Sequence, residues 1–187
     1  MLGLAALKGV AQGYIVTAPT MLILSLVGKE GELGLIQGVA ALVSAILLYV
    51  LGRVTKPKHR LMIYGIACAL FVLGALFNAS MYSALGVILF MLCLLFARPL
   101  LDIAYFPVQL KVIDIVAAKE KRNEFAYIFN HELGLHLGRL FGCGLFIVLA
   151  RYVSEYAALR YALLVIALVH FMGWFMMRNI VKEPEMA

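Results

Sequence analysis

Two stretches of this chain, Gly34 to Gly52 and Leu61 to Ala79, each run for nineteen residues without one charged side chain. A helix needs about 20 mostly apolar residues to cross the ~30 Å hydrocarbon core of a bilayer. Both stretches come close to that length, and they are not isolated. Four more apolar runs, broken by a few polar residues, lie at about 3–27, 82–112, 124–150 and 156–177. The pattern predicts a single domain, residues 1–187, built of six transmembrane helices. Composition agrees: 65% of the 187 residues are hydrophobic and 14% are charged, with a mean hydropathy of +1.00. A soluble domain is about half apolar and about a quarter charged, and cannot hide this much apolar surface from water. Membrane barrel strands alternate apolar and polar residues over ~10-residue segments. These runs do not alternate, and a helix satisfies its own backbone in lipid. The expected class is therefore an all-α integral membrane protein.

Basic residues near helix ends orient such a bundle. Arg53, Lys56, Lys58, Arg60, Lys119, Lys121, Arg122, Arg178 and Lys182 fall on one side, and Lys29, Arg151 and Arg160 on the other. Nine against three places the first set, and with six spans both termini, in the cytoplasm of a cell-membrane protein. The net charge of +6 is thus spent on loops, and no basic face remains for nucleic acid. Cys68, Cys93 and Cys143 are scattered in apolar runs without a CxxC pair, which argues against disulfides or a metal site.

Charge inside a membrane costs at least ~2.5–3.5 kcal/mol per group on insertion scales, and persists where it faces a bundle interior or a watery cavity. The fourth run carries Arg98, Asp102, Tyr105 and Gln109 on one stripe, with Arg98 and Asp102 at pairing distance along the helix. Pro99 and Pro107 in the same run predict kinks. In the first run Gln12 shares a face with Lys8, which is near enough to the helix end to snorkel; Pro19 is a further expected kink. His170, alone among apolar residues, reads as packing.

The fifth run is the most polar. Glu132, His136 and Arg139 lie on one face, and Gly134, Gly138 and Gly142 form a second stripe at four-residue spacing, the spacing that lets helices approach closely. His131, Glu132 and His136 nearly match a zinc-protease motif, but that motif needs histidines four apart. Here they are five apart, about 140° around the axis, so no metal is expected. Histidine beside carboxylate in a low-dielectric site can instead carry protons. Arg98 with Glu132, or Asp102 with Arg139, is the expected cross-helix ion pair.

Six helices with both ends inside, a basic loop after the second and a charged loop after the fourth resemble one half of a major facilitator superfamily transporter. Leu51-Gly52-Arg53 through Arg60 occupies the place of that family's glycine- and arginine-rich loop, without its acidic residue or its second Gly-Arg. Glu132 to Gly138-Arg139 is similar to fifth helices of some bacterial members. Gly34-Leu35-Ile36-Gln37-Gly38 is similar to the start of a C-terminal half. The resemblance implies a secondary carrier working by alternating access, with a small-molecule or ion substrate bound between two six-helix halves. The second half would be the rest of a longer chain or another copy. The alternative is a non-transporting membrane subunit that packs through its glycine-rich fifth helix. No nucleophile–base constellation is present, so an intramembrane enzyme ranks last, and no cofactor is expected.

Overall fold

The computed structural model describes residues 2–26 and 30–182. Among them there is no strand. Helix α1 spans Leu2–Leu26, α2 Glu30–Val54, α3 Arg60–Met81, α4 Ala84–Glu120 and α5 Glu124–Val148. A π-helical segment (Leu149–Ser154), the single turn α6 (Glu155–Ala157) and a second π-helical segment (Ala158–Ala162) then lead into α7, Leu163–Val181. Lys29 and the tail beyond Lys182 lie outside the described residues.

Five helical stretches among the described residues are long and apolar enough to cross a bilayer: Leu2–Leu26, Gln37–Val54, Pro57–Met81, Ala84–Glu120 and Glu124–Val181. The last is 58 residues long. Straight, it would reach about 87 Å at 1.5 Å per residue, nearly three times the hydrocarbon core. It is not straight. Ser154 is extended (φ −174°, ψ 133°), and its hydroxyl accepts from Ala157 N at 3.4 Å to cap a new helix. Along α5, Gly138 meets Ala6 and Gly9, and then Gly142 meets Val10 and Tyr14, so α5 runs parallel to α1. From Ala158 onward into α7 the order inverts. Tyr14 Oη donates to the Ala158 carbonyl at 2.7 Å, and Gly173 lies against Leu4 and Leu7. The chain therefore folds back between α5 and α7, and the last turns of α7 return to the start of α1, where Met176 faces Gly3.

At the fold-back, side chains from neighbouring elements bond to carbonyls freed where the backbone leaves regular α geometry or a helix ends. Asn78 Nδ2 donates to Leu159 O at 2.8 Å, and Arg160 Nε donates to Ala79 O at 2.7 Å. The rings of Tyr82, Tyr156 and Tyr161 surround the same guanidinium at 5.6, 5.2 and 5.1 Å. Together they tie the fold-back to the α3–α4 turn. That turn is made by Tyr82 in the left-handed region (φ 33°) and by Ser83, whose hydroxyl caps α4.

The apolar core has two parts. One, around Tyr14, Phe71, Phe90 and Leu163, fills the Ser154 end; the other, around Leu4, Tyr64, Tyr105 and Met177, fills the opposite end. Helix α1 runs through both, packed on α5 and α7. Helix α2 contrasts with it: no residue of Gln37–Val54 is buried.

One connection differs from the sequence expectation. Residues 113–123 read as a loop, yet α4 continues to Glu120 and turns at Lys121 (φ 53°). Ala117, Ala118, Lys119 and Glu120 are good helix formers, so the helix outlasts its apolar stretch. Asn123 Oδ1 then accepts from Phe125 N at 2.9 Å and starts α5.

Candidate polar cleft between α1, α2, α4 and α5

The most consequential polar contact joins α1 to α4. Lys8 Nζ lies 3.0 Å from Asp102 Oδ1. It also sits over the Tyr105 ring at 3.9 Å and the Phe106 ring at 4.2 Å. Lys8 is 3% exposed, so it does not snorkel to an aqueous end as the sequence suggested. Residues 102, 105 and 106 of α4 build a carboxylate-and-aromatic socket that holds its charge inside the bundle. The Asp102 side chain is 40% exposed and opens on empty space.

That space is a cleft with three lobes, each lined by Asp102. One lobe, about 420 Å³, is lined by Lys8, Gln12, Arg98, Asp102, Arg139 and His170, with Leu94 and Leu101 among the apolar residues. A second, about 540 Å³, lies between Pro19, Thr20, Gln37, Ser44, Arg98 and Asp102. The third, about 450 Å³, reaches Gly52, Thr55 and Arg60. These volumes fall in the range of small-molecule sites.

Neither of the two alternative cross-helix ion pairs forms. Asp102 pairs with Lys8, and Arg98 Nη2 donates to the Ile15 carbonyl at 3.3 Å. Ile15 is four residues before Pro19, whose ring nitrogen carries no proton, so that carbonyl lacks its helical donor. Arg98 thus answers a backbone vacancy made by the proline. Arg139 Nε donates to Gln12 Oε1 at 3.0 Å rather than pairing with Asp102. Glu132 faces histidines instead of Arg98: its carboxylate lies 3.3 Å from His131 Nδ1 and 3.9 Å from His136 Nδ1.

His131 and His136 differ in surroundings. His136 is exposed, and its Nδ1 lies 2.8 Å from the Glu132 carbonyl. A carbonyl only accepts, so this nitrogen carries the proton. His131 is buried. Its Nε2 is 2.7 Å from Tyr105 Oη, and its Nδ1 is 2.9 Å from Gln109 Nε2. When Nδ1 is bare it accepts from the Gln109 amide; when protonated it can donate to Glu132. Gln109 and His131 therefore lie behind the Lys8 socket and line none of the three lobes. His170 packs against Tyr64 and Phe71 and touches the 420 Å³ lobe.

The glycine stripe of α5 meets a second stripe on α1. A Cβ on Gly138 would press on the Ala6 carbonyl and lie 2.9 Å from Gly9 Cα; one on Gly142 would lie 3.0 Å from Val10 C. Gly9 and Gly13 are equally tight against Leu135, Gly138 and Arg139. Gly134 faces Leu2 more loosely. Sequence reasoning missed Gly9 and Gly13, although they carry the same four-residue spacing. It also missed Lys8 as a site residue. The signal was its place one turn before Gln12.

No family model matches this chain, and neither does any curated protein or any solved structure.

Proposed function

We propose that this chain is one half of a secondary active transporter, similar in layout to a major facilitator superfamily half, with six membrane spans and both termini in the cytoplasm. The fold-back at Ser154 supports six spans, since it turns the 58-residue final stretch into two helices of opposite direction. One observation carries the functional reading. The Lys8–Asp102 pair joins two helices that are each long and apolar enough to cross a bilayer, and its carboxylate lines all three lobes of the cleft. Intramembrane charge facing a cavity is characteristic of substrate and ion pathways. A carboxylate held by a lysine on another helix is also suited to alternating access, because movement of α1 against α4 makes or breaks the pair. Glu132 between two histidines offers a proton path beside it. A second six-helix half, from a longer chain or another copy, closes the open side of the cleft.

The competing reading is a non-transporting subunit that binds a partner through Gly134, Gly138 and Gly142. Its surface is taken, because α1 of the same chain packs on that stripe.

The test pairs assembly with activity. Native mass spectrometry of the chain extracted from membranes is expected to show two copies, or one copy with a second multi-span polypeptide. Reconstituted into vesicles carrying a pH-sensitive dye, that assembly is expected to move protons when small solutes are added, and Asp102→Asn is expected to abolish the signal. A monomer that moves neither solute nor protons sinks the proposal.

A further inference from the structure

The 420 Å³ lobe has an unbalanced charge. Lys8, Arg98 and Arg139 line it, against the single carboxylate of Asp102. That carboxylate is engaged by Lys8 at 3.0 Å. Counting Glu132 from the neighbouring face of α5 still leaves cations in excess. Neither guanidinium lies within 4 Å of a carboxylate among the described residues. Each is instead held at one corner by a neutral oxygen, Arg98 through Nη2 by Ile15 O and Arg139 through Nε by Gln12 Oε1. Their remaining donors have no protein partner among the described residues. Fixed charges in a membrane cavity are costly unless they are paired or hydrated. A guanidinium pinned at one corner, with two or more N–H groups open, has the geometry that binds carboxylate or phosphate in bidentate fashion.

We propose that Arg98 and Arg139 form an oxyanion site, and that the solute handled by this cleft is a small anion bearing a carboxylate or phosphate group. This deepens the transporter reading and rests on it for the word solute, but the site itself is testable without transport. Lys8 and Asp102 tune it. Asp102 keeps the lysine charge compensated in the empty state, and an incoming oxyanion competes with Asp102 for Lys8. Binding therefore loosens the α1–α4 tie, which is the coupling alternating access needs. The apolar residues Leu94 and Leu101 on the same walls fit an organic remainder on the anion.

The test is equilibrium binding to the purified full chain in its native assembly, read as thermal stabilisation. Sodium malonate and sodium phosphate are compared with sodium chloride and choline chloride at matched ionic strength. A third arm adds phosphatidylglycerol in nanodiscs, because a lipid headgroup presents the same chemistry as a free anion. Malonate or phosphate is expected to stabilise, and choline is not. Arg98→Gln and Arg139→Gln are each expected to weaken the anion about tenfold, the loss of one charged hydrogen-bonding partner. Arg98→Lys keeps the charge without the fork and is expected to fall between, which separates lost binding from lost folding. Arg53→Gln, in the last turn of α2 and outside the lobe's lining, is expected to bind as the parent does. Equal stabilisation by choline and malonate, or undiminished binding in both glutamine variants, overturns the site. Stabilisation by phosphatidylglycerol alone keeps the oxyanion site but removes the small solute. Anion binding without any uptake into vesicles keeps the site and removes the transporter reading.

Discussion

A lysine that is 3% exposed in a bundle of apolar helices has to be explained by its partners, and Lys8 has three on one helix face: Asp102, Tyr105 and Phe106. Removing either charge strands the other. Lys8→Met and Asp102→Asn are each expected to destabilise the bundle, and Lys8→Met with Asp102→Asn together to cost less than the sum. The coupling is expected to exceed the ~0.6 kcal/mol average of interhelical hydrogen bonds in membranes, because a lysine–carboxylate contact is stronger than a neutral hydrogen bond and the lysine is buried. Chemical denaturation of the four proteins in detergent gives the cycle; strictly additive losses would show that the 3.0 Å contact couples nothing. The charges themselves were legible in the sequence, since an ionisable residue inside an apolar run stands out. Their pairing was not. Lys8 and Asp102 are 94 residues apart, and no local pattern distinguishes Lys8 pairing with Asp102 from Arg98 pairing with it. Position near a helix end favoured snorkelling for Lys8, but the aromatic socket on α4 outweighs that preference. Arg98 was equally opaque, since its partner is a carbonyl freed by Pro19 on a different helix.

Between α1 and α5, glycine stripes decide how closely two helices approach. The spacing of Gly134, Gly138 and Gly142 was readable because it repeats on one face. That the stripe would close on Gly9 and Gly13 of α1 was not, because partner choice is a long-range matter. Gly138→Leu and Gly142→Leu are expected to unseat α5 from α1, displacing backbone as well as side chains, and to lower the unfolding temperature sharply. Gly144 is the internal control: a Cβ there meets nothing. Gly144→Ala is expected to hold or raise stability, by up to about 1 kcal/mol, as glycine removal from a helix interior does. Thermal unfolding in detergent checks both, and a Gly138→Leu variant as stable as Gly144→Ala would mean that α1 and α5 are not seated on these glycines. Helix limits followed the same division. Apolar runs marked the cores of α2 and α3 well, but α4 overran its apolar stretch into Glu120 because its charged end is still good helix.

At the scale of the whole molecule, helix direction and charge distribution make one joint prediction. The α1 start and the α7 end share one end of the bundle, where Gly3 meets Met176, and Ser154 marks the other. Lys58 belongs to the α2–α3 connection and Arg122 to the α4–α5 connection; Glu155 follows the fold-back, and all three are exposed. If the positive loops face the cytoplasm, a membrane-impermeant maleimide is expected to label Lys58→Cys and Arg122→Cys only in inside-out vesicles, and Glu155→Cys only from outside. Cys68, Cys93 and Cys143 are first replaced by alanine, a small change for side chains that are buried or half-buried. The Glu155 position is the discriminating one. Were Glu124–Val181 a single span with its middle in lipid, Glu155→Cys would label from neither side. Were α5 and α7 both to stop short of crossing, it would label from the same side as Arg122→Cys. Only a chain that crosses, turns at Ser154 and crosses back exposes Glu155→Cys opposite to Lys58→Cys.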